Sequence, residues 1–224
     1  MTTFQGIPAG ACEFYKELQD NNNREWWLEH KDRYQELVRE PITLLLAELE
    51  PRFGPGRIFR PNRDIRFSLD KSPYKTAQGA FASIQEGMGY YLQISAEGLL
   101  VGGGCHSHTP AQLVRYRNSV DASGTGESLR HIIDAVTAAG FVVEGEKLKT
   151  VPRGYPRDHP RGELLKHKSL AASTDLGRPG WLDTPAAVQE IGALGVNCGR
   201  WWTGLAATPH RKRQPAVWGA SSTL

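Results

Sequence analysis

The sequence predicts a single α+β domain in which an antiparallel meander sheet packs against several helices. Three observations predict it. Helical apolar spacing dominates residues 1–53, short extended segments joined by a tight turn occupy residues 57–101, and Thr109-Pro110 opens a second helical region. With 224 residues, 39% hydrophobic and 23% charged, the chain can bury a core without metal or disulfide staples. The expected domain covers residues 1–195, followed at 196–224 by an atypical, poorly ordered tail.

Phe14 and Leu18, four apart with Ala11 and Tyr15 beside them, make the apolar stripe of a first helix. Asn21, Asn22 and Asn23 interrupt it, because amide side chains favour turns and N-caps. A second helix over residues 24–39 turns Trp27, Tyr34 and Leu37 to one face. Pro41 then suits the first turn of a third helix, which Pro51 and Gly54-Pro55-Gly56 end. Period-two alternation in residues 64–67 sends Ile65 and Phe67 inward and Asp64 and Arg66 outward. Residues 75–84 form a weak strand, residues 89–95 a strong one, and Ala96-Glu97-Gly98 turns into residues 99–101 as a hairpin closed by Gly102, Gly103 and Gly104. Thr109 and Pro110 cap a helix carrying Leu113 and Tyr116. After a loop at 121–126 another helix spans residues 127–139, with Ile132, Ile133 and Val136 inward. Residues 141–143 return to the sheet. A proline-broken basic loop fills 147–168, and Thr184-Pro185 starts a helix ending near Leu194.

Cys12, Cys105 and Cys198 are odd in number and far apart, which suits a reducing cytoplasm better than a disulfide framework. No basic flank precedes an apolar run at the start, and no stretch reaches the roughly 20 apolar residues that span a bilayer. Neither export nor a membrane is expected. The net charge of +3 is too small to argue for nucleic acid by itself.

The charge is uneven, however. Residues 57–75 hold Arg57, Arg60, Arg63, Arg66, Lys71 and Lys75 against only Asp64 and Asp70. Guanidinium forks and ammonium groups so placed can hold phosphate or carboxylate; equally, they can tie strand to helix through the two acids. Asp64 and Asp70 are the acid/base candidates, or else ion-pair partners. Tyr74, Lys75, Tyr90, Asn23 and Arg153 complete the expected ligand-binding set with Arg60, Arg63, Arg66 and Lys71. The second basic loop, with Tyr155, Arg157, His159, Arg161, Lys166, His167 and Lys168 besides Arg153, adds to this field only if it folds to the same side. Cys105, His106 and His108 are metal-capable but lack patterned third and fourth ligands, so neither metal nor cofactor is expected.

Asn21-Asn22-Asn23-Arg24-Glu25-Trp26-Trp27, residues 63–76, Gly89-Tyr90-Tyr91-Leu92-Gln93, Gly102-Gly103-Gly104 and the run from Pro152-Arg153-Gly154-Tyr155-Pro156 to Lys168-Ser169 resemble the family known as domain of unknown function 2461. The resemblance covers residues 4–191. It implies a mainly bacterial, single-domain α+β protein and carries over no catalytic residues. It fades after Val196 and at Cys105-His106-Ser107-His108. The expected function is binding of a small anionic phosphate- or carboxylate-bearing ligand, with Asp64 or Asp70 as base if the protein is an enzyme. The rivals are a nucleic-acid binder and an interaction module whose arginines are paired internally.

Overall fold

A computed structural model describes residues 3–66 and 69–206, the side chains of 197–206 excepted. Helix α1 (Gly10–Asp20) buries the predicted stripe of Ala11, Phe14, Tyr15 and Leu18. Phe14 is the hub of an aromatic cluster, its ring centroid 5.4–5.9 Å from those of Tyr15, Trp26, Trp27 and Tyr34. Helix α2 (Arg24–Tyr34) starts at Asn23, whose side-chain oxygen accepts the Trp26 N–H at 2.9 Å.

Pro41 does not open a separate helix. Helix α2 continues through a widened π turn (Gln35–Arg39) into α3 (Glu40–Phe53), and the Glu40 N–H bonds to the carbonyl of Gln35, five residues back. Proline has no N–H to return to the fourth carbonyl behind it, and an extra residue in the turn absorbs that break. Pro51 likewise stays inside α3, which stops at Gly54, where φ is +79°.

Six strands follow: β1 (Gly56–Ile58), β2 (Ala77–Gln85), β3 (Met88–Ser95), β4 (Leu99–Cys105), β5 (Val142–Glu144) and β6 (Leu170–Gly177). They form one antiparallel sheet in the order β1-β2-β3-β4-β6-β5. The expected β3–β4 hairpin is present, with the Ser95 N–H on the Gly98 carbonyl at 2.9 Å. Gly102, Gly103 and Gly104 do not close it. They lie within β4, opposite Tyr91, Tyr90 and Gly89 on one side and Ser173, Ala172 and Ala171 on the other.

Residues 64–66 are not a strand. The segment is held by one bridge, Asn62 to Tyr74, and Ile65 is 37% exposed. Asp64 and Asp70 accept from the Arg66 and Ser72 backbone N–H groups, an alternative to ladder bonding. The inward placement of Phe67 lies outside the described residues.

Helices α4 (Pro110–Asp121), α5 (Ser123–Ala138), α6 (Gly162–Leu165) and α7 (Ala187–Ala206) complete the chain. Thr109 and Gln112 form a reciprocal capping box at the start of α4. The loop expected at 121–126 shrinks to Ala122, because α5 begins at Ser123. Helix α7 runs beyond Leu194 to Ala206, so the first part of the tail expected at 196–224 is helical; the rest of it lies outside the described residues.

Strand alternation sorts the sheet into two faces. Ala80, Ala82, Leu92, Ile94, Leu99 and Val101 pack into the core shared with α1–α3, while Met88, Cys105 and Leu170 pack with residues of α4–α6. The intervening positions, Phe81, Tyr91, Gly102, Gly104, Ala171 and Ser173, belong to the opposite face. Among the described residues, no helix is long and apolar enough to cross a membrane.

Candidate functional site

That opposite face carries a groove of about 360 Å³, running across the strands from Arg57 and Phe59 past Phe81 and Tyr91 to Ser173, with His106 beside it. Its floor is built from residues with little or no side chain: Gly89, Gly102, Gly103, Gly104, Ala171 and Ala172. Its wall is aromatic. Phe59 and Tyr91 lie 6.3 Å apart between centroids, and His106 meets Phe81 edge-on at 5.5 Å. Burial raises the pKa of Tyr91, so its hydroxyl stays protonated and donates to Gln93 Oε1 at 2.8 Å. Among the described lining residues there is no carboxylate.

Arg57 is the cation of this groove. In register it lies opposite Phe81, and its guanidinium carbon sits 5.7 Å from the Phe59 ring centroid. Lys75 approaches the same ring to 5.6 Å and donates to the Arg60 carbonyl at 3.0 Å. Two cations therefore converge on one half-buried aromatic wall.

The other expected residues are distributed differently. Arg63 pairs with Asp70, which also accepts from the Ser72 N–H and hydroxyl. Arg66 grips Asp64 with two bonds of 2.6 and 3.0 Å, and this holds the Asp64 carboxyl below its ordinary range. Asp64 is thereby a stable charge and a weak base. Lys71 donates to the Ile65 carbonyl, and Arg60 is exposed. None of Arg60, Arg63, Arg66 or Lys71 lines the groove.

Tyr74 is buried and stacked on Trp27, centroids 4.2 Å apart. Asn22 clamps its backbone from both sides, accepting the Tyr74 N–H at 3.1 Å and donating to its carbonyl at 2.9 Å. Asn23 caps α2 instead. Tyr90 lies on the helix side of the sheet, edge-on to Phe53 at 4.6 Å.

The second basic loop connects β5 to β6, at the opposite edge of the sheet from the segment joining β1 to β2. Arg153 is exposed there, far from Arg57 in strand order. The two cationic stretches do not combine. Period-two alternation around Phe81 and Tyr91 is the signal in the sequence that could have set them apart from the core residues beside them. The contribution of β6 had none.

A family model described as a conserved hypothetical protein (DUF2461) matches residues 10–194, most of the chain and the whole groove. The chain belongs to the DUF2461 family. No curated protein and no solved structure matches it.

In this DUF2461 chain Cys105, His106 and His108 point to different surroundings. Cys105 is buried on the helix side, where burial pushes its thiol up to about 11. His106 borders the groove, and His108 donates through Nδ1 to the Lys168 carbonyl at 2.8 Å. His167 makes a similar bond to Ser169 at 2.9 Å. Burial lowers the pKa of both His108 and His167 from 6.5. A depressed histidine binds its proton more readily in the unfolded chain, so stability is complete above pH 6.5 and is lost as pH falls from there through the folded values. The melting temperature is expected to fall between pH 7 and pH 5, and His167→Gln should flatten that dependence. An unchanged slope in the variant would exclude the assignment.

Proposed function

We propose that this protein binds a small phosphate- or carboxylate-bearing molecule on the open face of its sheet, within the cytoplasm. The observation that carries the reading is the groove of about 360 Å³ with Arg57 at one end and no acid among its described lining residues. A guanidinium with no carboxylate partner nearby retains its donors for an incoming oxyanion. Asp64 and Asp70 serve as ion-pair partners in the loop, so the reading is one of binding.

Thermal shift with inorganic phosphate, citrate and benzoate tests it. A ligand at a hundred times its Kd adds about 2.7 kcal/mol, or roughly 5–10 °C for a chain of this size. Arg57→Ala should weaken binding about 10- to 100-fold, the worth of a charge-assisted contact. Arg63→Ala and Arg66→Ala should leave it unchanged. Stabilisation that persists in Arg57→Ala would overturn the proposal. So would inert small anions combined with tight, steeply salt-dependent binding of a single-stranded oligonucleotide.

A further inference from the structure

We infer that the groove selects a flat, conjugated ring system joined to its anionic group; this rests on the reading of the open face as an anion site. The inference comes from how the aromatic wall is seated. Phe81 and Tyr91 are directly opposite one another across β2 and β3, where two upright rings would meet each other. They do not. Each reaches along the sheet toward a glycine on the diagonal of the other strand.

A Cβ placed on Gly79 would lie 2.7 Å from the Tyr91 hydroxyl and 3.1 Å from Phe59 Cδ2. One placed on Gly89 would lie 2.6 Å from Phe81 Cζ. The rings therefore occupy the space that side chains at positions 79 and 89 would fill, low against the backbone. Beyond them the floor continues through Gly102, Gly104 and Ala171, with Ser173 at the far side. Gly102 could not carry a side chain without strain, since its Cβ would come within 2.8 Å of the Ala172 carbonyl oxygen.

The result is a broad, shallow bed. From β2 to β6 it crosses three strand spacings, about 14 Å. A planar ring laid on it touches aromatic carbon and bare backbone over its whole face, whereas a puckered aliphatic body of equal volume touches only part. Arg57 stands one strand from Phe81, so the anionic group and the ring are held within one ligand's reach of each other. Aromatic acids and nucleoside monophosphates share this chemistry.

Calorimetry with matched probes separates the possibilities. 2-Naphthoate is expected to bind about 3- to 10-fold more tightly than decahydro-2-naphthoate, and adenosine 5′-monophosphate more tightly than ribose 5-phosphate if the source is a nucleotide. Tyr91→Leu and Phe81→Leu should abolish the preference, lowering the affinity of the flat acid more than that of the saturated one. Upfield movement of the naphthoate proton resonances in the unmodified protein is expected too, and it does not depend on either variant folding. Equal affinity for the flat and saturated acids would overturn the inference and leave the anion site standing. Failure of all four probes to bind would remove the anion site as well.

Discussion

Replacing Arg161 with alanine is expected to destabilise the protein by about 3 kcal/mol or more and to lower its melting temperature by roughly 6–12 °C. Arg161 is only 7% exposed. Its guanidinium donates to the Val120 carbonyl at 2.6 Å, the Asp121 carbonyl at 2.7 Å and Glu127 Oε1 at 2.9 Å. The two carbonyls belong to the last turn of α4, whose terminal acceptors have no partner within their own helix. A cation at that end also meets the negative pole of the helix. A distant loop thus caps α4 and fixes the junction with α5 in a single contact.

Alanine would leave the two carbonyls without the guanidinium, and Glu127 with Arg130 as its remaining ion-pair partner. Lysine would return the charge without the three-way fork, so Arg161→Lys should recover only part of the loss. Gly126→Ala attacks the same joint from the other side. Its Cβ would lie 2.4 Å from Arg161 Nε and 2.2 Å from the Val120 carbonyl oxygen. Urea unfolding of Arg161→Ala decides the matter; a loss below 1 kcal/mol would mean that solvent replaces the guanidinium freely.

Arg161 shows where sequence reasoning stops. In the chain it is one of several basic residues in a proline-broken loop, and nothing nearby marks it as a cap for a helix 40 residues earlier. The same limit governed residues 57–75. A cluster of cations announces a field but not its neutralisation, and Arg63 with Asp70 and Arg66 with Asp64 close on themselves over seven and two residues. Local rules succeeded where the physics is local: the α1 stripe, the Asn23 cap, the Thr109 cap and the β3–β4 turn all follow from neighbouring residues. Strand β6 escaped because Ala171, Ala172, Ser173 and Asp175 have weak strand preference, and only pairing with β4 makes them extended. The groove escaped with it, since its far side exists only once β6 has been added.

The second large effect is expected from Gln78→Leu, at about 2–4 kcal/mol, and it should reach the groove as well as the core. Gln78 is 1% exposed on the helix side of β2. Tyr34 donates its hydroxyl to Gln78 Oε1 at 2.6 Å, and Gln78 Nε2 donates to the carbonyls of Phe59 and Gly79, each at 2.8 Å. Gly79 O also receives the Phe59 N–H at 3.0 Å, so it keeps a partner when the amide is gone. The Phe59 carbonyl does not, and the Tyr34 O–H loses its acceptor although the Arg39 guanidinium still bonds to the Tyr34 oxygen; each buried group left without its partner costs about 1–3 kcal/mol. Tyr34→Phe in the Gln78→Leu background should therefore cost little or even restore stability, because it removes one of the two orphans; the same change in the parent should be destabilising. A double-mutant cycle by thermal unfolding measures this coupling. The functional consequence follows from Phe59, whose carbonyl is anchored by Gln78 while its ring faces Arg57, Lys75 and Tyr91. Freeing that carbonyl loosens the aromatic wall, so Gln78→Leu should weaken binding of 2-naphthoate although Gln78 does not itself line the groove. Additive energies in the cycle would show that Tyr34 and Gln78 do not depend on one another, and unaltered naphthoate affinity would show that the wall stands without them.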